Sequence, residues 1–132
     1  MKVNSSSSYG KFTVSLLSER IIYAKLIGSF SERGISDYIN QVKTIISDFA
    51  GKPFAMLINN LEIEGGTPEA YQTLDNYNHW LNQQAIVAKA FIIDDNVTKH
   101  ILLTRTPSLK QQNIAFFKTV NEAQDWLEAE LH

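Results

Sequence analysis

Residues 51–60, with the sequence GKPFAMLINN, decide the fold of this 132-residue chain. Gly51 and Pro53 end the segment before them, and residues 54–58 form an apolar run without polar alternation. Such a run is typical of a central parallel strand that is covered on both faces. Asn59 and Asn60 then favour the end of that strand. The stretch therefore predicts one strand of an α/β sheet.

Helices are predicted on both sides of this strand. Upstream, Ser31 is a good N-cap, and apolar residues recur at helical spacing from Ile35 to Phe49. Downstream, Thr67 is a capping residue and Pro68 suits the first helical position. The strand therefore lies between two amphipathic helices, as in βαβ units.

The remaining patterns complete the order ββαβαβαβα. They predict an opening hairpin of residues 12–16 and 21–27, and two further strands at 88–93 and 114–117. They also predict a short helix at 97–105 and a terminal helix that is anchored by a buried Trp126. We predict a single-layer, mixed, mostly parallel sheet of four to five strands packed with helices. Strands 54–58 and 88–93 should be central and parallel, and strand 12–16 should lie at or near an edge.

Composition excludes several classes of function. The chain has no cysteine, which excludes disulfides, thiolate metal sites and a cysteine nucleophile. Its net charge is −2, from 12 basic and 14 acidic residues that are scattered, so we expect no nucleic-acid partner. No apolar run has transmembrane length, so we expect no stable membrane insertion. The absence of cysteine and of the apolar h-region of a signal peptide favours a cytoplasmic location. We interpret residues 1–9 as a flexible lead-in and residues 10–132 as one domain.

Catalytic and metal-binding patterns are absent from the sequence. His79, His100 and His132 have no metal-ligand spacing, and there is no Gly-x-Ser-x-Gly nucleophile elbow. Carboxylates at two strand ends, such as Glu62 and Asp95, could approach one another, but turn and cap roles are favoured. We therefore expect a protein that is not an enzyme, with no cofactor and no metal.

Three groups of short phrases resemble the SpoIIAA-like family, within the STAS (anti-sigma-factor antagonist) superfamily. The first is YGKF at residues 9–12. The second is GKPFA at 51–55 with TPEA at 67–70. The third is FFKT at 116–119, followed by EA at 122–123 and DWL at 125–127. Their order and spacing together carry the resemblance, which covers about residues 9–131.

The resemblance implies the mixed sheet described above and a protein partner, because STAS domains bind proteins and some are switched by phosphorylation. The family's phosphoacceptor is a serine at the start of the helix after the third strand. This chain has no serine there, and Thr67 is the nearest hydroxyl. Thr67 is thus a candidate phosphoacceptor, although its role as an N-cap is favoured. The family also looks similar to lipid-binding CRAL-TRIO domains.

Two functional hypotheses follow. The leading one is a non-catalytic protein-binding or regulatory module. The alternative is a small carrier or sensor that binds an apolar or carboxylate ligand in a cleft beside the second helix. We place the candidate partner- or ligand-binding site in the loop from Asn60 to Thr67 and the helical turn after it, because ligands of open α/β sheets bind outside the carboxyl ends of strands. Its residues are Glu62, Glu64, Gly65, Gly66, Thr67 and Tyr71.

Overall fold

A computed structural model of the chain describes the backbone of residues 2–7 and 10–132, and the side chains from residue 10 onwards. The strands are β1 (Lys2–Ser7), β2 (Gly10–Ser18), β3 (Ile21–Phe30), β4 (Phe54–Gly66), β5 (Ile86–Ile92) and β6 (Ile114–Phe117). The helices are α1 (Glu32–Asp48), α2 (Pro68–Leu81), α3 (Asn96–Arg105) and α4 (Val120–Leu131), with a 3₁₀ helix at Pro107–Gln111.

The strands form one mixed sheet in which spatial order follows chain order. Strands β1, β2 and β3 pair antiparallel, whereas β3, β4, β5 and β6 pair parallel. The predicted fold class is confirmed, and the element order from β2 onwards is the predicted one. Strands β4 and β5 are central and parallel, and β2 is next to the edge with antiparallel neighbours, as expected.

The sheet is covered on both faces. Helix α1 and helix α2 pack on one face together with Leu102 of α3, and α4 packs on the other. Ala123 and Leu127 are the fully buried residues of α4. The prediction of a buried Trp126 is wrong, because this side chain is half-buried and packs at the margin of that cluster. No helix in the described part of the chain is long and apolar enough to cross a bilayer.

The interpretation of residues 1–9 as a lead-in without structure needs correction. Lys2–Ser7 forms strand β1 and pairs with β2, which brings the sheet to six strands. Residues 1, 8 and 9 lie outside the described backbone. The polar sequence gave no apolar signal for this strand, but an edge strand forms through backbone hydrogen bonds that any residue other than proline can supply.

The predicted loop from Asn60 to Thr67 is also wrong, because β4 continues to Gly66. Strand β3 extends past Ile27 to Phe30, and this extension supplies the parallel partner. The pairing contains two bulges, one where Asn60 and Leu61 both stand opposite a single residue of β3, and one at Glu64. Polar residues and glycines in this segment suggested a loop, but they belong to a bulged strand that is exposed to solvent on one face.

Candidate functional site

A pocket lies between α2, α3 and the carboxyl-terminal half of the parallel strands. Its volume is about 80 Å³, which exceeds the space that one water molecule needs. Its walls are mainly apolar. The lining residues are Leu26, Phe30, Ile35, Tyr38, Ile58, Asn60, Ile63, Glu64, Gly65, Gly66, Ala70, Tyr71, Leu74, Tyr77, Asn78, Lys89, Phe91, Thr98, Ile101, Leu102 and Leu109.

Lys89 of β5 lies on the inner wall of this pocket. The residue is 2% exposed, and its Nζ donates a hydrogen bond of 2.6 Å to Oδ1 of Asn78 on α2. Burial lowers the pKa of Lys89 to about 7, because desolvation disfavours the charged ammonium. The inner wall thus carries an amine that changes charge near neutral pH.

The aromatic residues beside Lys89 keep water away from it. The Lys89 ammonium lies 5.7 Å from the ring centroid of Tyr77, and the ring of Tyr38 packs edge-on against Tyr77 at 6.2 Å. Burial raises the pKa of both phenols well above the ordinary value, so both remain neutral hydroxyls at physiological pH. The inner pocket is therefore apolar apart from a few amide, hydroxyl and amine groups.

The two glycines at the end of β4 allow α2 to begin close to the sheet. Gly65 has a φ of +132°, which disfavours other residues. A Cβ atom on Gly66 would lie 3.2 Å from the carbonyl oxygen of Phe30 and 3.4 Å from Cβ of Ala70. These close approaches form the wall of the pocket nearest the start of α2.

The pocket opens into a wider surface cleft. Ile101 and Tyr71 line both, and Arg105 lies in the outer cleft. Partial burial raises the pKa of Tyr71, and the charge of Arg105 opposes this shift. Glu64 also lines the opening, so this mouth carries one acidic and one basic side chain.

The structure brings four of the six predicted site residues to the pocket: Glu64, Gly65, Gly66 and Tyr71. Thr67 lines only the outer cleft, and its hydroxyl accepts a hydrogen bond from the backbone N–H of Ala70, so it caps α2. Glu62 does not line the pocket and forms an ion pair with Lys25.

Sequence reasoning missed Lys89 and Asn78 as members of the site, and it named Asn60 only as the start of the predicted segment. Only Lys89 left a signal, since it is the one charged residue within the apolar segment 86–93, IVAKAFII. Lysine is almost never fully buried without a partner, so a lysine in a predicted buried strand was the available clue. Within the described residues, no group of three acidic or histidine side chains is arranged to hold a metal ion.

Comparisons with known proteins identify the fold. No protein-family model and no curated protein sequence matches the chain. A structure of a DUF3478-family protein with a SpoIIAA-like fold, from Shewanella loihica PV-4, is similar with a TM-score of 0.72 and 15% identity, covering 93% of this chain and 98% of that one.

Two further solved structures are similar. The anti-sigma factor antagonist SpoIIAA in its unphosphorylated form gives a TM-score of 0.64 at 10% identity, covering 89% of this chain and 97% of that one. An anti-sigma factor antagonist from Mycobacterium paratuberculosis gives 0.58 at 10% identity, covering 97% of this chain and 93% of that one. Identities this low establish shared architecture alone: the chain has a SpoIIAA-like, STAS-like fold.

Proposed function

We propose that this chain is a non-catalytic carrier or sensor that binds a small, largely apolar ligand in the pocket between α2 and α3. One observation carries the proposal: an apolar pocket of about 80 Å³ with a few polar groups, Lys89 and Asn60 among them, at the carboxyl ends of parallel strands. Apolar walls with a small number of placed polar groups are the general form of a small-molecule site.

The polar groups of the pocket suit binding rather than catalysis. Lys89 and Asn78 bond to each other, and Asn60 offers an amide. A desolvated lysine of lowered pKa can act as a nucleophile, but the amine of Lys89 is engaged by Oδ1 of Asn78, and we propose a binding role for it. We therefore propose no reaction for this site.

The proposal is tested by filling the pocket with a larger side chain and measuring whether the purified protein loses its bound ligand. Leu74 lines the pocket and is half-buried, so Leu74→Trp would place an indole in the space. Leu131→Trp is the matched control, because Leu131 is also half-buried but packs on the α4 face of the sheet. Native mass spectrometry of freshly purified protein then measures any co-purified small molecule.

We expect an added mass on the wild type and on Leu131→Trp, and its loss from Leu74→Trp. A titration of the wild type with short-chain acids and amides, followed by backbone amide NMR shifts, extends the test to protein that purifies empty. The proposal fails if the wild type purifies empty and no such compound shifts the amide signals of the pocket residues.

A protein-binding regulatory module in the cytoplasm is the second candidate. Two of the similar solved structures are described as anti-sigma factor antagonists, which favours a protein partner for this fold. In addition, α3 exposes Val97 and Ile101, which are 70% and 38% exposed, and Ile101 lines the pocket mouth. Exposed apolar side chains one helical turn apart can contact a partner.

Affinity capture with surface variants tests this candidate. A true partner should be retained by the wild type and lost with Val97→Ser/Ile101→Ser. Leu16→Ser is the matched control, because Leu16 is 39% exposed on β2, away from α3. A protein that is captured equally by all three forms does not bind through α3, and α3 is then rejected as the interface; if no protein is enriched on the wild type, the candidate itself is rejected.

A further inference from the structure

Lys89 is a buried cation whose hydrogen bonding is incomplete. An ammonium has three N–H donors, and the described bond of this nitrogen uses one of them, to Asn78. The rings of Tyr77 and Phe91 lie 5.7 and 6.0 Å from the nitrogen, near the outer limit of cation–π attraction. No described carboxylate forms an ion pair with Lys89.

Asn60 is a second incompletely bonded group in the same pocket. The residue is 5% exposed, and its Oδ1 is buried without a hydrogen-bond partner. A buried amide atom without a partner is unfavourable, and native proteins rarely contain one without a reason. Rotation of the amide about χ2 would present Nδ2, a donor, in place of Oδ1.

The rest of the pocket lining is mainly apolar, and its mouth has no dominant charge. Leu74, Ile101 and Leu102 supply aliphatic surface to the pocket. Arg105 and Glu64 at the opening have opposite signs. When Lys89 is protonated, its ammonium is therefore the one unbalanced charge among the described lining residues.

We propose that the pocket binds a small aliphatic carboxylic acid, whose carboxylate accepts a hydrogen bond from Nζ of Lys89 and whose alkyl chain runs between α2 and α3 towards the mouth. This inference rests on the proposed ligand-binding function and specifies its ligand class. The carboxylate supplies the missing counter-charge and a strong, charge-assisted hydrogen bond. An amide head group of the same shape supplies no charge.

A carboxylate suits this pocket better than a phosphate. One buried cation balances one negative charge, whereas a phosphate monoester carries nearly two and has three acceptor oxygens. Apart from Lys89, the donors that line the inner pocket are uncharged amides and hydroxyls, among them Asn60 and Tyr77. A second negative charge would remain buried and unpaired, which is strongly unfavourable.

Proton uptake provides a readout that is specific to Lys89. An anion next to the amine favours its protonated form, so binding above pH 7 should transfer a proton from buffer to Lys89. Burial raises the pKa of each tyrosine of the pocket, so these hydroxyls stay neutral at pH 8. The titratable side chains around the pocket are Tyr38 on α1, Glu64 on β4, Tyr71 and Tyr77 on α2, and Arg105 on α3.

The experiment compares butyrate, hexanoate and octanoate with their three amides by calorimetric titration of the wild type. At pH 8, in buffers of different ionisation enthalpy, we expect the best acid to bind about tenfold or more tightly than its amide. We also expect uptake of a fraction of a proton to one proton per acid bound. The amides should show no uptake.

Two lysine variants test whether the preference for the acid over its amide depends on Lys89. Lys89→Met should remove both the preference for acid over amide and the proton uptake. Lys43→Met is the matched control, because Lys43 on α1 lies over the ring of Trp80 on α2 and does not line this pocket. It should behave as the wild type.

The outcomes separate this inference from the proposed function. If acids and amides bind equally to the wild type and Leu74→Trp abolishes both, the pocket binds ligands but the carboxylate inference is wrong. A preference for acid that persists in Lys89→Met also overturns it. If no acid or amide binds and the wild type purifies empty, both proposals fail. The comparison in the wild type does not depend on the folding of any variant.

Discussion

Nζ of Lys89 on β5 and Oδ1 of Asn78 on α2 are joined by a hydrogen bond of 2.6 Å. The same oxygen lies 3.3 Å from Nε2 of Gln112, which follows the 3₁₀ helix. The Asn78 amide therefore links the sheet, α2 and the segment before β6 at one buried point. This arrangement holds the lysine in place but leaves its charge without a carboxylate partner, and that charge should affect stability.

The stability of the protein should rise with pH above 7 because of Lys89. The pKa of this amine is about 7 in the folded state and near 10.5 when unfolded, so between these values the unfolded chain binds more protons. Below pH 7 the full cost of burying the charge is present, and it is relieved as pH rises. The gain should reach at most about 1.4 kcal/mol per pH unit.

Lys89→Met checks this prediction by urea denaturation at pH 6, 7, 8 and 9. The variant should be more stable than the wild type at pH 6, and the difference should shrink by pH 9. Lys43→Met should follow the wild-type pH dependence. A constant difference between Lys89→Met and the wild type across this range would show that Lys89 does not titrate in the window.

Leu127 should contribute more to stability than Trp126, although tryptophan is larger. Leu127 is fully buried against β4 and β5, so Leu127→Ala should cost about 2–5 kcal/mol through lost burial and a residual cavity. Trp126 is half-buried, with its ring 5.6 Å from that of Phe117, and Trp126→Ala should cost less. Chemical denaturation of both variants measures the order, and the reverse order would show that the Trp126 ring anchors α4.

Gly10 should tolerate alanine worse than Gly51 does. Both have positive φ, +110° and +83°, so both substitutions strain the backbone. A Cβ on Gly10 would also lie 2.6 Å from the buried ring of Phe30, whereas a Cβ on Gly51 meets nothing within 4 Å. The clash should add about 1–3 kcal/mol to the cost of Gly10→Ala. Equal loss of thermal stability in the two variants would mean that β2 shifts to relieve the contact.

Thr67 should act as the N-cap of α2. Its hydroxyl accepts a hydrogen bond from the N–H of Ala70 at 3.1 Å, so Thr67→Ala should cost about 0.5–2 kcal/mol, and Thr67→Ser should retain most of the stability.

Thr67→Glu, measured for stability and for partner or ligand binding, tests the separate proposal of a phosphorylation switch. Altered binding by Thr67→Glu without unfolding supports the switch, and wild-type binding argues against it.

The order of elements and the central strands could be predicted because their signals are local. The run at 54–58, the N-cap at Thr67 and the helical spacing from Ile35 to Phe49 each specify a periodicity or a boundary that needs no distant partner. The part of the candidate site around Gly65, Gly66 and Tyr71 could also be predicted from the sequence, because the carboxyl ends of parallel strands are the usual place for ligand sites in such sheets.

Tertiary structure alone decided the rest. Strand β1 and the second half of β4 depend on backbone pairing with β2 and β3, and pairing across a sheet leaves no pattern in polar or glycine-rich sequence. The pocket depends on the juxtaposition of Lys89, Asn60 and Leu74, which lie on three different elements. The sequence by itself determined where helices and strands form, because those preferences are local. The tertiary structure decided which polar groups share one buried space, because the pairing of β4 with β5 and the packing of α2 across them bring these groups together.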